Sequence, residues 1–187
     1  MKRTLKAVLL LTAILIVLTS CTTLRIRMGE NSKYTLLPPS AITEPMDSYQ
    51  LITGSFPGYE NVAMEAWFTC DGNELQLMMF APTGQTMGKV LYDGKSISFE
   101  SSFLPEYRMI GMFIIADMQL CFATSEAIDA EFGKSNLNLT ETYSDGNLIA
   151  RKIGEKNNAV YLIEYLENGI SVTNSLRGYS YTIEFLD

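Results

Sequence analysis

The chain of 187 residues carries 14 basic and 21 acidic side chains and no histidine. Without imidazole there is no Ser-His-Asp or Cys-His catalytic pair, no histidine-ligated metal and no imidazole pH switch. The acidic balance opposes nucleic-acid phosphates and anionic head groups, and the three cysteines lack the CxxC spacing of redox and zinc motifs, so neither metal nor cofactor is expected.

Lys2, Arg3 and Lys6 precede an uncharged apolar run from Ala7 to Val17, shorter than the roughly 20 residues a spanning helix needs. This pattern predicts a secretory signal peptide over residues 1–20. Leu18-Thr19-Ser20-Cys21 has the form of a lipobox, which makes Cys21 the expected lipid-attachment site and the membrane a partner through that lipid. Thr22, where an aspartate would signal inner-membrane retention, favours the periplasmic face of the outer membrane. Removing three of the 14 basic side chains with the leader leaves 11 against 21 acidic ones, a net charge of −10.

Residues 21–47 are polar and broken by Pro38, Pro39 and Pro45, and read as a lipidated N-terminus and tether. One domain is expected over residues 48–187. A strand is predicted over Gln50 to Phe56. Val62, Met64, Ala66 and Phe68 then alternate with Ala63, Glu65, Trp67 and Thr69, and Asp71-Gly72-Asn73 turns the chain into Leu75, Leu77 and Met79. Pro82-Thr83-Gly84 leads into Met87 to Tyr92, and Asp93-Gly94 into Ile97 and Phe99. Glu65, Thr69 and Gln76 mark the outer face. Trp67, Met78 and Phe80 share it, under the tether or another strand.

A helical insertion is expected over residues 109–133. Met109 to Ala123 is apolar all round except for Asp117 and Gln119, so it must be buried or meet something greasy. Two accounts follow: a core helix that plugs the sheet, or a movable cover over a lipid-sized cavity. In the second account Val62, Met64, Ala66, Phe68, Leu75, Leu77, Met79, Phe99, Met112, Ile115 and Leu120 line the cavity. Asp117 is expected to act structurally, hydrogen-bonded to backbone amides. A second helix runs from Ser125, its expected N-cap, to Phe132. Cys70 ends an inward row and Cys121 lies near the end of the covering helix, so the two can form a disulfide or remain buried thiols.

Five more strands follow: Leu137 to Tyr143, Leu148 to Ile153, Val160 to Leu166, Ile170 to Asn174 and Tyr179 to Leu186. Turns fall at Asp145-Gly146, Asn157-Asn158 and Asn168-Gly169. The expected fold is mainly β with a helical insertion, an unclosed antiparallel β-barrel of about ten strands with a helical lid or plug.

Several blocks resemble a family of Gram-negative envelope lipoproteins whose genes accompany aryl-polyene and fatty-acid-type synthesis clusters. They are Leu36-Leu37-Pro38-Pro39, Met79-Phe80-Ala81-Pro82-Thr83-Gly84-Gln85, Leu91-Tyr92-Asp93-Gly94, Leu104-Pro105 and Ile115-Ala116-Asp117-Met118-Gln119-Leu120. The hairpin from Trp67 to Phe99 is similar to the LolA/LolB family, which implies an unclosed barrel with a helical lid over an apolar cavity. Two departures stand out. Thr83 replaces the protruding leucine of LolB, so lipoprotein insertion by that route is not implied, and Cys121-Phe122 replaces the Trp-Pro that follows Gln-Leu in the lipoprotein family.

Two functions are therefore expected. One is a carrier that shields an acyl lipid, polyene lipid or lipoprotein acyl chain. The other is a structural or assembly lipoprotein with a packed core that binds an envelope protein. No nucleophile elbow, Gly-rich phosphate loop or paired-carboxylate motif points to an enzyme.

Overall fold

The structure is a computed structural model that describes residues 23–102, 108–156 and 158–186. The signal peptide, Cys21, Leu104-Pro105 and Asn157 lie outside these residues.

Ten strands form one antiparallel sheet in which every neighbouring pair is a hairpin partner, apart from the join between its halves. In chain order the first half is β3 (Met46–Phe56), β4 (Tyr59–Cys70), β5 (Leu75–Phe80), β6 (Thr86–Tyr92) and β7 (Ile97–Ser101). The second is β8 (Leu137–Ser144), β9 (Asn147–Glu155), β10 (Asn158–Leu166), β11 (Gly169–Asn174) and β12 (Tyr179–Phe185). β3 pairs with β12, with Ile52 opposite Ile183, and the edges β7 and β8 do not pair with each other, so the barrel is unclosed. The alternating polarity produces this arrangement: along β4 the side chains of Met64, Ala66, Phe68 and Cys70 are buried, and Trp67 on the other face is exposed. Turn chemistry sets the register. Asp145 and Gly146 both have positive φ, at 52° and 82°, the geometry of a type I′ hairpin.

The insertion forms α1 (Arg108–Phe122) and α2 (Ser125–Phe132). Thr124 rather than Ser125 is the N-cap of α2: its hydroxyl accepts from Ala127 N at 3.3 Å, and Ser125 Oγ donates instead to Glu141 at 2.7 Å. The β-extended backbone of Thr124 meets the requirement of a cap, one residue earlier than the polarity pattern suggested.

The tether reading needs a larger correction. Residues 24–42 are part of the folded domain, with β1 (Arg25–Arg27) and β2 (Lys33–Thr35) paired as a hairpin and a 3₁₀ turn at Pro39–Ala41. Leu24, Ile26, Met28, Tyr34, Leu36, Leu37, Ala41 and Ile42 are all buried. The Glu155 carboxylate holds the hairpin tip, accepting from the N–H groups of Glu30 (2.6 Å) and Asn31 (3.1 Å) and from the Ser32 hydroxyl (2.5 Å). Leu24, Ile26 and Met28 have strand alternation, and the prolines that suggested an unstructured linker terminate the arm in a tight turn.

Candidate functional site

The helix α1 lies between two layers, the concave face of the sheet and the β1–β2 arm, which explains why it is apolar on every side. Asp117 and Gln119, two residues and about 200° apart around the axis, turn to opposite layers. Asp117 accepts from Tyr161 (3.0 Å), from Tyr179 (2.9 and 2.8 Å) and from Tyr181 (3.1 Å). These are side-chain hydroxyls, not the backbone amides expected. Burial pushes the carboxyl up to about 6, although the tyrosine hydrogen bonds and the charge of Arg177 act the other way.

The tyrosines come together through register. Tyr179 and Tyr181 alternate on β12, and Asn174 on β11 stands opposite Tyr161 on one side and Tyr179 on the other. A Tyr-x-Tyr pair on the final strand was the sequence signal for this cluster. On the other side of the helix, Gln119 Oε1 accepts from Leu37 N and the Tyr34 hydroxyl, and its Nε2 donates to Leu37 O.

The last turn of α1 is also held. Arg151 Nη1 donates to the carbonyls of Leu120 (2.9 Å) and Cys121 (3.4 Å), Nε pairs with Glu141 (2.8 Å), and the Tyr165 hydroxyl donates to Cys121 O (2.8 Å). Two side chains thereby satisfy carbonyls that a helix end leaves open.

The N-terminal half is different. Met109 is 61% exposed, and Ile110, Met112, Phe113 and Ile114 are only half-buried, whereas every residue from Ile115 to Cys121 is buried. This half lies between the β6–β7 edge of the sheet and the turn that joins β11 to β12. On one side Gly111 closes on β6 and β7, where an added Cβ would stand 3.0 Å from Phe99 Cβ and 3.2 Å from Val90 Cγ2. On the other, the Arg177 guanidinium lies 3.9 Å from the centre of the Phe113 ring.

Nine of the eleven residues expected to line a cavity, namely Met64, Ala66, Phe68, Leu75, Leu77, Met79, Phe99, Ile115 and Leu120, are buried in one continuous core. The Phe68 and Phe122 rings stack at 5.3 Å across the helix–sheet boundary. Only Val62 and Met112 are left half-buried. The C-terminal half of α1 is thus a plug.

Of the two alternatives for Cys70 and Cys121, the structure has the buried free thiols. Cys70 Sγ donates to Pro39 O at 3.5 Å under the 3₁₀ turn, and Cys121 belongs to the Arg151–Tyr165 end of the helix, against β9 and β10. Burial raises both thiol pKa values.

The outer face carries an open depression of about 520 Å³ lined by Asp47, Tyr49, Trp67, Phe80 and Gly84. Trp67 Nε1 donates to Asp47 at 2.5 Å, and the Tyr49 hydroxyl donates to Glu65. Tyr49 and Trp67 are exposed, because the N-terminal arm packs on the inner face instead of covering them. Among the described residues no group of three or more His, Cys, Asp or Glu side chains could hold a metal, and no helix is long and apolar enough to cross a membrane.

No relative was found among curated proteins. Among solved structures, a LolA superfamily protein from Nitrosomonas europaea is similar at 8% identity and a TM-score of 0.45, over 77% of this chain and 84% of that one. Residues 47–187 match the profile of the protein family of unknown function DUF3261, and the chain belongs to that family.

Proposed function

We propose that the protein is a non-catalytic lipoprotein of the cell envelope, anchored through Cys21 at the periplasmic face of the outer membrane, that takes up the apolar chain of an acyl or polyene lipid. One observation carries this reading: α1 is fixed over residues 115–122 by Asp117, Gln119 and Arg151, while its apolar N-terminal half stays partly exposed beside the β6–β7 edge of the sheet. An apolar chain entering there displaces water from Met109, Met112 and Phe113, a gain of about 0.8 kcal/mol per buried methylene. Methionine suits this end, since flexible thioethers repack around a guest, while Gly111 keeps the helix close against β6 and β7.

The placement of relatives beside aryl-polyene and fatty-acid-type synthesis genes, implied by the sequence resemblance, agrees with such a cargo. Native mass spectrometry of the mature chain, extracted from membranes in mild detergent, tests the reading. A co-purifying apolar adduct, or one formed on adding palmitate, supports it, and bare protein in both cases contradicts it.

A second reading, an assembly lipoprotein that binds an envelope protein, is favoured by the exposed Tyr49–Trp67 pair on the outer face. It predicts that Trp67→Ala abolishes capture of a partner without changing lipid uptake.

A further inference from the structure

We propose that Arg177 and Asn174 form the receptor for a carboxylate head group, so that the chain taken up beneath the N-terminal half of α1 is that of a fatty acid or a similar acyl carboxylate. The inference rests on the proposed uptake of an apolar chain and adds what its polar end must be.

Both residues belong to the turn between β11 and β12, closed by Gly178 N donating to Asn174 O at 2.9 Å. Asn174 is 1% exposed, and its Oδ1 accepts from Arg177 N at 3.0 Å, while its Nδ2, near enough to the Tyr179 hydroxyl to act on it, makes no hydrogen bond of normal geometry among the described residues. The Arg177 guanidinium is held by stacking on Phe113 and by an Nη2 bond to Arg27 O, but the buried Nη1 likewise has no partner. Buried donors are normally met, and a guanidinium already fixed in place loses little freedom when it binds a carboxylate.

Asp117 does not fill this role. The charge of Arg177 acts on it, but its two oxygens are occupied by three tyrosine hydroxyls and the two side chains form no ion pair. The nearby carboxylate also sets the charge of the guest: a singly charged carboxylate can be matched by one guanidinium, whereas a doubly charged phosphate would meet stronger repulsion from Asp117. The apolar stem then has a place to go, because Phe113, under Arg177, is followed toward solvent by Met112 and Met109.

Palmitate and hexadecanol, equal in chain length and different in head group, separate the claims when titrated against the mature chain purified from membranes. Palmitate is expected to bind about tenfold more tightly than hexadecanol, in keeping with a charge-assisted hydrogen-bonded pair. Arg177→Met, which keeps an apolar stem over Phe113, and Asn174→Asp, which keeps the Oδ1 acceptor and removes the donor, are each expected to erase that preference. A circular dichroism spectrum and thermal unfolding transition like those of the unaltered protein report that each variant is folded. Equal binding of the two ligands by the unaltered protein would show that water meets these donors and would overturn the carboxylate site while leaving uptake of an apolar chain intact. A palmitate preference that survives both substitutions would also overturn it. Binding of neither ligand would remove the underlying reading itself.

Discussion

Gln119 pairs with the backbone of Leu37 in both directions, its Oε1 accepting from Leu37 N at 2.9 Å and its Nε2 donating to Leu37 O at 2.6 Å. A side-chain amide here replaces a strand neighbour, joining α1 to the N-terminal arm inside the core. Gln119→Leu would leave both Leu37 groups buried and unpaired, at a cost of about 3 kcal/mol in unfolding free energy measured by denaturant titration. Deleting residues 24–42 is expected to unfold the domain, where removal of a mere tether would leave its stability unchanged.

Asp117 links stability to pH. Its carboxyl is raised from 3.8 to about 6, so the folded state binds a proton more tightly than the unfolded state does. The contribution is fully present below about pH 3.8 and is lost as pH rises through about 6. The stability of the unaltered protein relative to Asp117→Asn should therefore increase as pH falls from 7 to 4, in total by an amount on the order of 3 kcal/mol. A pH-independent difference would contradict this. Asp117→Ala leaves three tyrosine hydroxyls without their acceptor and should lower the melting temperature by several degrees, as thermal unfolding followed by circular dichroism would show.

The thiols provide a chemical check on the covering helix. Cys70 and Cys121 should be unreactive toward a thiol reagent in the folded protein, and both should be titrated after denaturation without reductant. Recovery of no free thiol would point instead to the Cys70–Cys121 disulfide.

Cys21 carries the membrane claim. Cys21→Ser is expected to abolish metabolic labelling with palmitate and to leave the protein unprocessed or detached. Labelling that persists in the variant would remove the anchor from the account.

Most of the sheet was legible in the sequence because inner and outer residues alternate on well-separated hairpins. The exposed face of Trp67 and the buried rows through Phe68 and Leu77 followed from the polarity of Glu65, Thr69 and Gln76. The arm was not legible, since Pro38 and Pro39 mimic a linker and its partner Glu155 lies over 120 residues away. The tyrosine cluster depends on the register of β10, β11 and β12, and local pattern shows which face Tyr179 takes without showing that Asp117 will meet it. Which of the two cysteine alternatives holds depends on a similar long-range path. Alternation placed Cys70 correctly on the inner face, but the path of α1 brings Cys121 to Arg151 and Tyr165.

The central claim is that α1 is fixed at one end and accepts a ligand at the other. Hydrogen exchange of its backbone amides, with and without palmitate, measures this directly. The first-turn amides lack intrahelical partners in any helix, so Met112, Phe113 and Ile114 are the informative positions, set against Ile115 to Phe122. The account predicts strong protection over residues 115–122 under both conditions, and faster exchange at residues 112–114 that slows when palmitate is added. Uniform protection along the whole helix, unchanged by palmitate, would contradict it.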